Sequence, residues 1–259
     1  MSVNSIIYGP VPSWRLGRSL GIDLLSTTGK TCSFDCIYCQ LGRTVHFTAD
    51  RREFVSLDEL DMELRKVKDI TVDYVTFSGV GEPTLASNLG QAIEMVKSTL
   101  GVPVAVLTNS SLMPNEEIHG ELARADVVVA KLDAPSEELF RIINRPFATY
   151  SLAEICQGIR HFRVECKGKL ALQMMFIEAN KDYAREMAGI AEQLSPDEVQ
   201  INTPLRPCGA KPLSPEAINT IRHEFRGLKN VVTVYEVARP EVKPLSLKET
   251  QRRRPEGSN

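Results

Sequence analysis

Cys32, Cys36 and Cys39 fall in the run Thr-Cys-Ser-Phe-Asp-Cys-Ile-Tyr-Cys-Gln, with three and then two residues between successive thiols. A short loop with that spacing wraps three corners of a cube. Structural zinc takes four protein ligands, usually as two separated pairs, whereas a [4Fe-4S] cluster held by three thiolates leaves one iron open to a substrate or cofactor. Two other arrangements stay open at this level: a disulfide with one free thiol, and a zinc site completed by a distant residue such as His46. Cys156 lies one turn from Leu152 and Ile159 on an apolar helix face and reads as core, while Cys166 and Cys208 have no partner nearby in sequence. His46, His119, His161 and His223 show no metal-type spacing and are expected as surface or capping residues.

The elements that must position the cysteines are legible as alternating strands and helices. Continuous apolar runs at 19–25, 72–78, 102–108, 126–133, 170–177 and 198–203 read as buried parallel strands. Helix starts appear as the capping boxes at Ser56 with Glu59 and Ser151 with Glu154, and as Ser214 followed by Pro215. Leu57, Leu60, Leu64 and Val67 share one helical face, as do Leu152, Ile155, Ile159 and Phe162. Strand and helix in constant order, joined by right-handed crossovers, predict an α/β fold: a curved parallel sheet or partial (β/α)6 barrel. One domain is expected over 1–246, with 231–237 as a further edge strand and 247–259, including Arg252, Arg253 and Arg254, as an exposed tail.

Ligands gather at the carboxyl ends of such strands, where loops vary freely. The first strand end carries the cysteine loop, with Tyr38 beside its last thiol. The second carries Gly79, Gly81 and Glu82 in Ser-Gly-Val-Gly-Glu-Pro-Thr; glycines admit close backbone approach, and Glu82 is suited to accept from a cationic amine. Thr84 and Pro83 break a dinucleotide-binding pattern there. The third ends in Thr108 and Asn109, polar groups suited to a ribose or carboxylate. In the fourth, the period of two puts Lys131 and Asp133 on one face, either as an ion pair or as groups that hold or condense with substrate. Asn202 and Arg206 end the sixth and suit a carboxylate or phosphate. Arg15, Arg18 and Arg43 form a further basic set.

The cysteine spacing, joined to Gly81-Glu82-Pro83 one unit later, resembles the signature of the radical S-adenosylmethionine (radical SAM) superfamily. Tyr8 to Ser13, Ser19 to Asp23, Phe77 to Leu85, Leu132 to Pro135, Ile143 to Pro146 and Asn202 to Pro207 look like the branch related to the archaeal tRNA wyosine synthase. The resemblance implies Cys32, Cys36 and Cys39 as ligands of a [4Fe-4S] cluster. It also implies that Gly81 and Glu82 hold S-adenosylmethionine (SAM), with Tyr38 near its adenine, and that an external one-electron donor such as flavodoxin or ferredoxin drives its cleavage to a 5′-deoxyadenosyl radical. Unlike wyosine synthase, the chain has no cysteine before Cys32. Its formal charge of −2 gives no basic field for tRNA, which is therefore not the favoured partner. Activation of a protein or peptide, and a non-catalytic metal-binding role, are the alternative readings. No apolar run approaches the ~20 residues of a membrane span, and no basic leader precedes one, so a cytoplasmic enzyme is expected.

Overall fold

The apolar runs and capped helices assemble into an eight-stranded sheet in a computed structural model that describes residues 5–147 and 150–255. Strands β1 (Ile7–Ser13) and β2 (Gly17–Ile22) form an antiparallel hairpin. Two short strands, β3 (Thr31–Cys32) and β4 (His46–Phe47), pair outside the main sheet. The chain continues through α1 (Leu57–Lys66), β5 (Tyr74–Phe77), α2 (Leu89–Leu100), β6 (Val104–Thr108), α3 (Glu116–Leu122) and β7 (Val127–Lys131). Then come α4 (Glu137–Ile143), α5 (Leu152–Glu165), β8 (Lys169–Met175), α6 (Ala184–Leu194), β9 (Glu198–Asn202), α7 (Pro215–Glu224), β10 (Val231–Thr233) and α8 (Leu247–Arg253). Sheet order is β1-β2-β5-β6-β7-β8-β9-β10, parallel throughout except at the first hairpin. With β1 and β10 as its two edges, the sheet is a curled half-barrel, as the alternation of elements predicts.

Strand periodicity sorts the side chains onto two faces. Val104, Val106, Val128, Ala130, Leu170, Leu172, Met174, Val199 and Ile201 join the large core beneath the helices. Ala105, Val127, Val129 and Ala171 face the other way, into the lumen, where Leu16 of the β1–β2 turn closes a separate small cluster. Further along the same inner face stand Lys131, Gln173, Gln200 and Asn202, so the lumen is apolar at its floor and polar toward the carboxyl ends. The predicted helix starts hold: Ser151 and Glu154 cap reciprocally, and Ser214 accepts from the Ala217 amide. Ser56 accepts from the Glu59 amide, an N-cap worth ~1 kcal/mol without the return bond from Glu59.

Two sequence expectations are corrected, and one strand is added to them. Strand β1 escapes a propensity reading because Pro10 and Pro12 interrupt it; an edge strand tolerates both, since one side of its ladder is unpaired. His119, expected at the surface, is buried, its Nε2 2.7 Å from the Met113 carbonyl. The segment 247–253 is a helix docked on β1 rather than an exposed tail; 256–259 lie outside the described residues. A run of three arginines reads as a solvated charge cluster, yet Arg253 is 1% exposed. Its Nε donates to Asp23 Oδ2 at 2.9 Å, its Nη1 to Glu249 Oε2 at 2.6 Å, and its Nη2 to the Ser5 carbonyl at 2.9 Å.

Removing that guanidinium leaves Asp23 enclosed without a counter-ion and Glu249 with only Arg252, 3.7 Å away, the costly way to break a buried network. Arg253→Met is expected to lower unfolding stability by about 3–5 kcal/mol, measured by urea denaturation; an unchanged midpoint would show that α8 docks through its other contacts.

Candidate active site

The cysteine loop is pinned on two sides. Toward β5, the Thr31 amide donates to the Val80 carbonyl at 3.0 Å, and the Glu82 amide to the Thr31 carbonyl at 3.2 Å. Gly81 sits so close that a Cβ there would lie 1.6 Å from the Thr31 oxygen, so this position admits only glycine. Toward α4, the Ile37 amide bonds the Ile143 carbonyl at 2.9 Å and the Asp35 amide bonds the Asn144 carbonyl at 3.0 Å. Buried Asp35 accepts from the Thr44 amide at 2.7 Å and pairs with Arg43 at 3.0 Å. Arg18 pairs with Asp73 at 2.8 Å. Thus of the basic set Arg15, Arg18 and Arg43, only Arg15 lines the cavity that the loop borders.

That cavity, about 300 Å³, is the barrel lumen. Cys32, Cys36 and Cys39 all line it, together with Tyr38, Gly79, Gly81, Glu82, Thr108, Asn109, Lys131, Asn202 and Arg206 from the sequence reading. Burial pushes the Cys32 thiol up to about 12 and the Cys36 thiol up to about 11, the latter helped by the negative charge of Asp133. A metal centre reverses that preference, because coordination favours the thiolate. Lys30, missed in the sequence, is 5% exposed beside all three thiols. Burial opposes its charge, yet Cys39, Cys32 and Cys36 together push its ammonium above the ordinary range, so it is placed to offset anionic sulfur. Among the described residues no three His, Cys, Asp or Glu side chains are gathered tightly enough to grip a single ion. Cys208 packs beside Tyr38, Ile143 and Ile177, outside the lumen wall, and its thiol faces the Ala210 carbonyl at 3.2 Å.

Glu82 joins the second strand end to the third. Its Oε1 accepts from the Thr84 amide at 3.1 Å, from Thr84 Oγ1 at 2.7 Å and from Thr108 Oγ1 at 2.7 Å; its Oε2 accepts from the Asn109 amide at 2.6 Å. Burial raises its pKa, and those donors offset the shift only in part. A carboxylate has about four acceptor sites divided between its oxygens. Oε2, with one donor, retains room for a cation. Asn109 turns its amide toward Cys32 Sγ, 3.4 Å away, and Ser33 Oγ, 2.9 Å away. Thr108 and Asn109 thus tie Glu82 to the cysteine loop while lining the cavity. Gly79 likewise makes room for a protein group, since a Cβ there would lie 2.2 Å from Asp23 Cγ.

Lys131 and Asp133 do share a face, with Lys131 Nζ 3.5 Å from Asp133 Oδ1. Asp133 is held more closely by others: the Met175 amide donates at 2.8 Å, Asn144 Nδ2 at 3.0 Å, and the Tyr38 hydroxyl also donates to it. Asp133 is therefore a fully engaged anchor for Tyr38, and burial together with the Asp133 charge raises the Tyr38 pKa well above 10. Lys131 lies over the Tyr38 ring, 4.7 Å from its centroid, with donors left for the cavity. Asn144 also reaches Cys36 Sγ at 3.5 Å, a role that the sequence signals only by its place in Ile-Asn-Arg-Pro. Asn202 Oδ1 accepts from the Thr203 amide at 2.9 Å, and Arg206 Nη1 donates to Gln40 Oε1 at 3.2 Å.

The family description "Radical SAM superfamily" matches residues 26–189, which hold the cysteine loop and the Glu82 bracket. A UPF0026 protein of Methanocaldococcus jannaschii is 38% identical over 224 residues, 84% of this chain and 69% of that protein. A UPF0026 protein of Synechocystis is 41% identical over 211 residues, 81% of this chain and 78% of that protein. In fold, Streptococcus suis SuiB, solved bound to S-adenosylmethionine, superposes with a TM-score of 0.62 at 16% identity, covering 79% of this chain. The match spans 48% of SuiB, about half its length. No helix among the described residues is long and apolar enough to cross a membrane. The chain belongs to the radical SAM superfamily and is a radical SAM enzyme, with a [4Fe-4S] cluster and S-adenosylmethionine as its cofactors.

Proposed function

We propose that Cys32, Cys36 and Cys39 hold the cluster and that SAM binds between this loop and Glu82, so that hydrogen is abstracted from a substrate admitted to the lumen. The observation that carries this reading is the convergence on one cavity wall of three thiols, with no fourth among the described residues, beside a buried carboxylate that keeps an open acceptor. The donor set fits: three soft ligands leave one cluster corner for the cofactor, and Lys30 offsets the added negative charge. When bound, the cofactor pair supplies one-electron cleavage of a sulfonium and a carbon radical that takes hydrogen from substrate. The chain's own work is to hold, orient and shield. Glu82 Oε2 accepts from the methionyl ammonium; Tyr38, fixed by Asp133 and Asn144, presents its ring beside the last thiol; Lys131 faces the cavity as a cation for a carboxylate. The hairpin turn with Leu16 closes the floor against water.

The reaction requires an external one-electron donor, for which a flavodoxin or ferredoxin is the proposed partner. Membership of the wyosine-synthase branch belongs to this proposal as well, on the quoted segments; tRNA is not favoured as substrate, given a formal charge of −2.

Two measurements test the assignment. Single substitutions Cys32→Ala, Cys36→Ala and Cys39→Ala are each expected to abolish the brown visible absorption of anaerobically reconstituted protein, whereas Cys208→Ala retains it. A cluster that survives any one of the first three removes that residue from the ligand set. Glu82→Gln keeps the shape of the bracket but removes its charge; it is expected to weaken SAM binding about tenfold or more, with iron content unaltered. Equal SAM affinity in the variant would place the ammonium elsewhere.

A further inference from the structure

The three thiols line the lumen, but the backbone that carries them also has a solvent side. In the parallel pair of β3 and β4, Phe47 stands opposite Cys32, a separation of about 5 Å across a ladder. The Phe147 amide donates to the Ser33 carbonyl at 2.8 Å, and Pro146 bridges to Phe34. Two phenylalanines from distant stretches are thus hung on the residues that begin the cysteine loop, and their rings meet with centroids 5.5 Å apart. Yet Phe47 is 42% and Phe147 59% exposed, and Val45, two residues before Phe47, is 62% exposed. None of the three lines the lumen.

Such rings are normally buried, and a pair that packs together while staying in water marks a contact surface. Its extent decides between occupants. With on the order of 200 Å² for a whole aromatic side chain, two half-exposed rings and a valine offer roughly 300 Å². That is far below the ~800 Å² per partner of a stable dimer and in keeping with a brief redox encounter. The rim nearest the rings is basic. Arg43, 83% exposed, and Arg145, two residues from Phe147, both approach the enclosed carboxylate of Asp35, at 3.0 and 3.9 Å. One carboxylate, which also accepts from the Thr44 amide, faces two guanidiniums, so positive charge is left at the surface. Asp50, Arg52 and Glu53 follow where the chain turns toward the second strand end, the Arg52 amide donating to the Leu85 carbonyl at 3.0 Å.

An electron that enters here reaches the cysteine loop without crossing the cavity that substrate must occupy. We infer that the Phe47–Phe147 pair, rimmed by Arg43 and Arg145, is the docking surface of the electron donor, and that this donor is a flavodoxin. A flavin presents an apolar aromatic edge to the two rings, and an acidic protein around it meets the arginines. In the transfer one electron leaves the anionic reduced flavin and one is gained by the cluster, with no bond made or broken. The use of the surface for reduction rests on the proposed cluster site; the contact itself does not.

Stopped-flow absorbance of the cluster tests the surface without relying on turnover. In anaerobically reconstituted protein, Phe47→Ser and Phe147→Ser are each expected to slow cluster reduction by reduced flavodoxin about tenfold. Reduction by dithionite, which needs no docking surface, is expected to be unchanged. Added salt is expected to slow the flavodoxin reaction of the parent protein, and less so that of Arg145→Gln. A flavodoxin rate unchanged in the double variant of Phe47→Ser and Phe147→Ser overturns the surface. Equal slowing with dithionite also overturns it, because the rings would then act through the shape of the loop. Reduction by ferredoxin but not by flavodoxin overturns the choice of donor, and a dimer of the parent chain that the double variant loses would give the patch to a second copy. Calorimetric titration with oxidised flavodoxin requires no cluster. Binding that the double variant loses, in a chain that takes up no iron, would sustain the contact and refute the cluster ligands, so the two failures are distinguishable.

Discussion

Thr31 and Gly81 meet backbone to backbone with no room for a side chain between them, and the site depends on that contact. It sets the distance between the residue preceding Cys32 and the residue preceding Glu82, which belong to different strand ends. A Cβ at position 81 would overlap the Thr31 oxygen, and the flexible end of a side chain is not what it meets, so the overlap is relieved only by moving the cysteine loop. Glu82 then carries the constraint onward through Thr108 and Asn109, and Asn109 returns it to Cys32. Three consecutive strand ends are thereby locked into one frame before any cofactor arrives, which is the pre-organisation that radical chemistry in a confined space demands.

Much of this was legible in the sequence, for specific reasons. Buried parallel strands need continuous apolar runs, and β5 to β9 have them. The thiol spacing and Glu82 stood out because few other uses exist for those residue types in that order. What stayed hidden was non-local. Asn144 and Lys30 earn their places only when the Ile143–Asn144 carbonyls and Gly42 fold back on the loop. Gly79 and Gly81 were legible as close-approach positions, but the approaching groups are Asp23 and Thr31, both protein, where a ligand was anticipated. Thr108 and Asn109 were similarly placed at the right strand end, but their bonds to Glu82 and the cysteine loop were not visible there.

The largest misreading concerned the two chain ends, and its cause is one fact. Strand β1 is discontinuous in pattern because of its prolines, and α8 carries a cluster of like charges; each looks unstructured when taken alone. Together they are complementary, since α8 covers an edge that would otherwise be bare and Arg253 finds Asp23 and Glu249 waiting. Such pairing across more than two hundred residues leaves no local periodicity to detect.

The seam that α8 helps to close also brings basic side chains to the lumen. Parallel strands deliver their carboxyl ends, and with them the three thiols and Glu82, to one side of the site. Other stretches reach the lumen as well: the hairpin turn, the loops after β9 and β10, and the residue after α8. These carry Arg15, Arg206, Arg239 and Arg254. Asp133 is taken up by donors of its own, whereas Glu82 Oε2 keeps room for a cation. Arg206 donates to Gln40, the residue after Cys39, and Gln40 Nε2 donates to the Arg253 carbonyl at 3.0 Å, so the loop after β9 and the end of α8 both brace the cysteine loop directly.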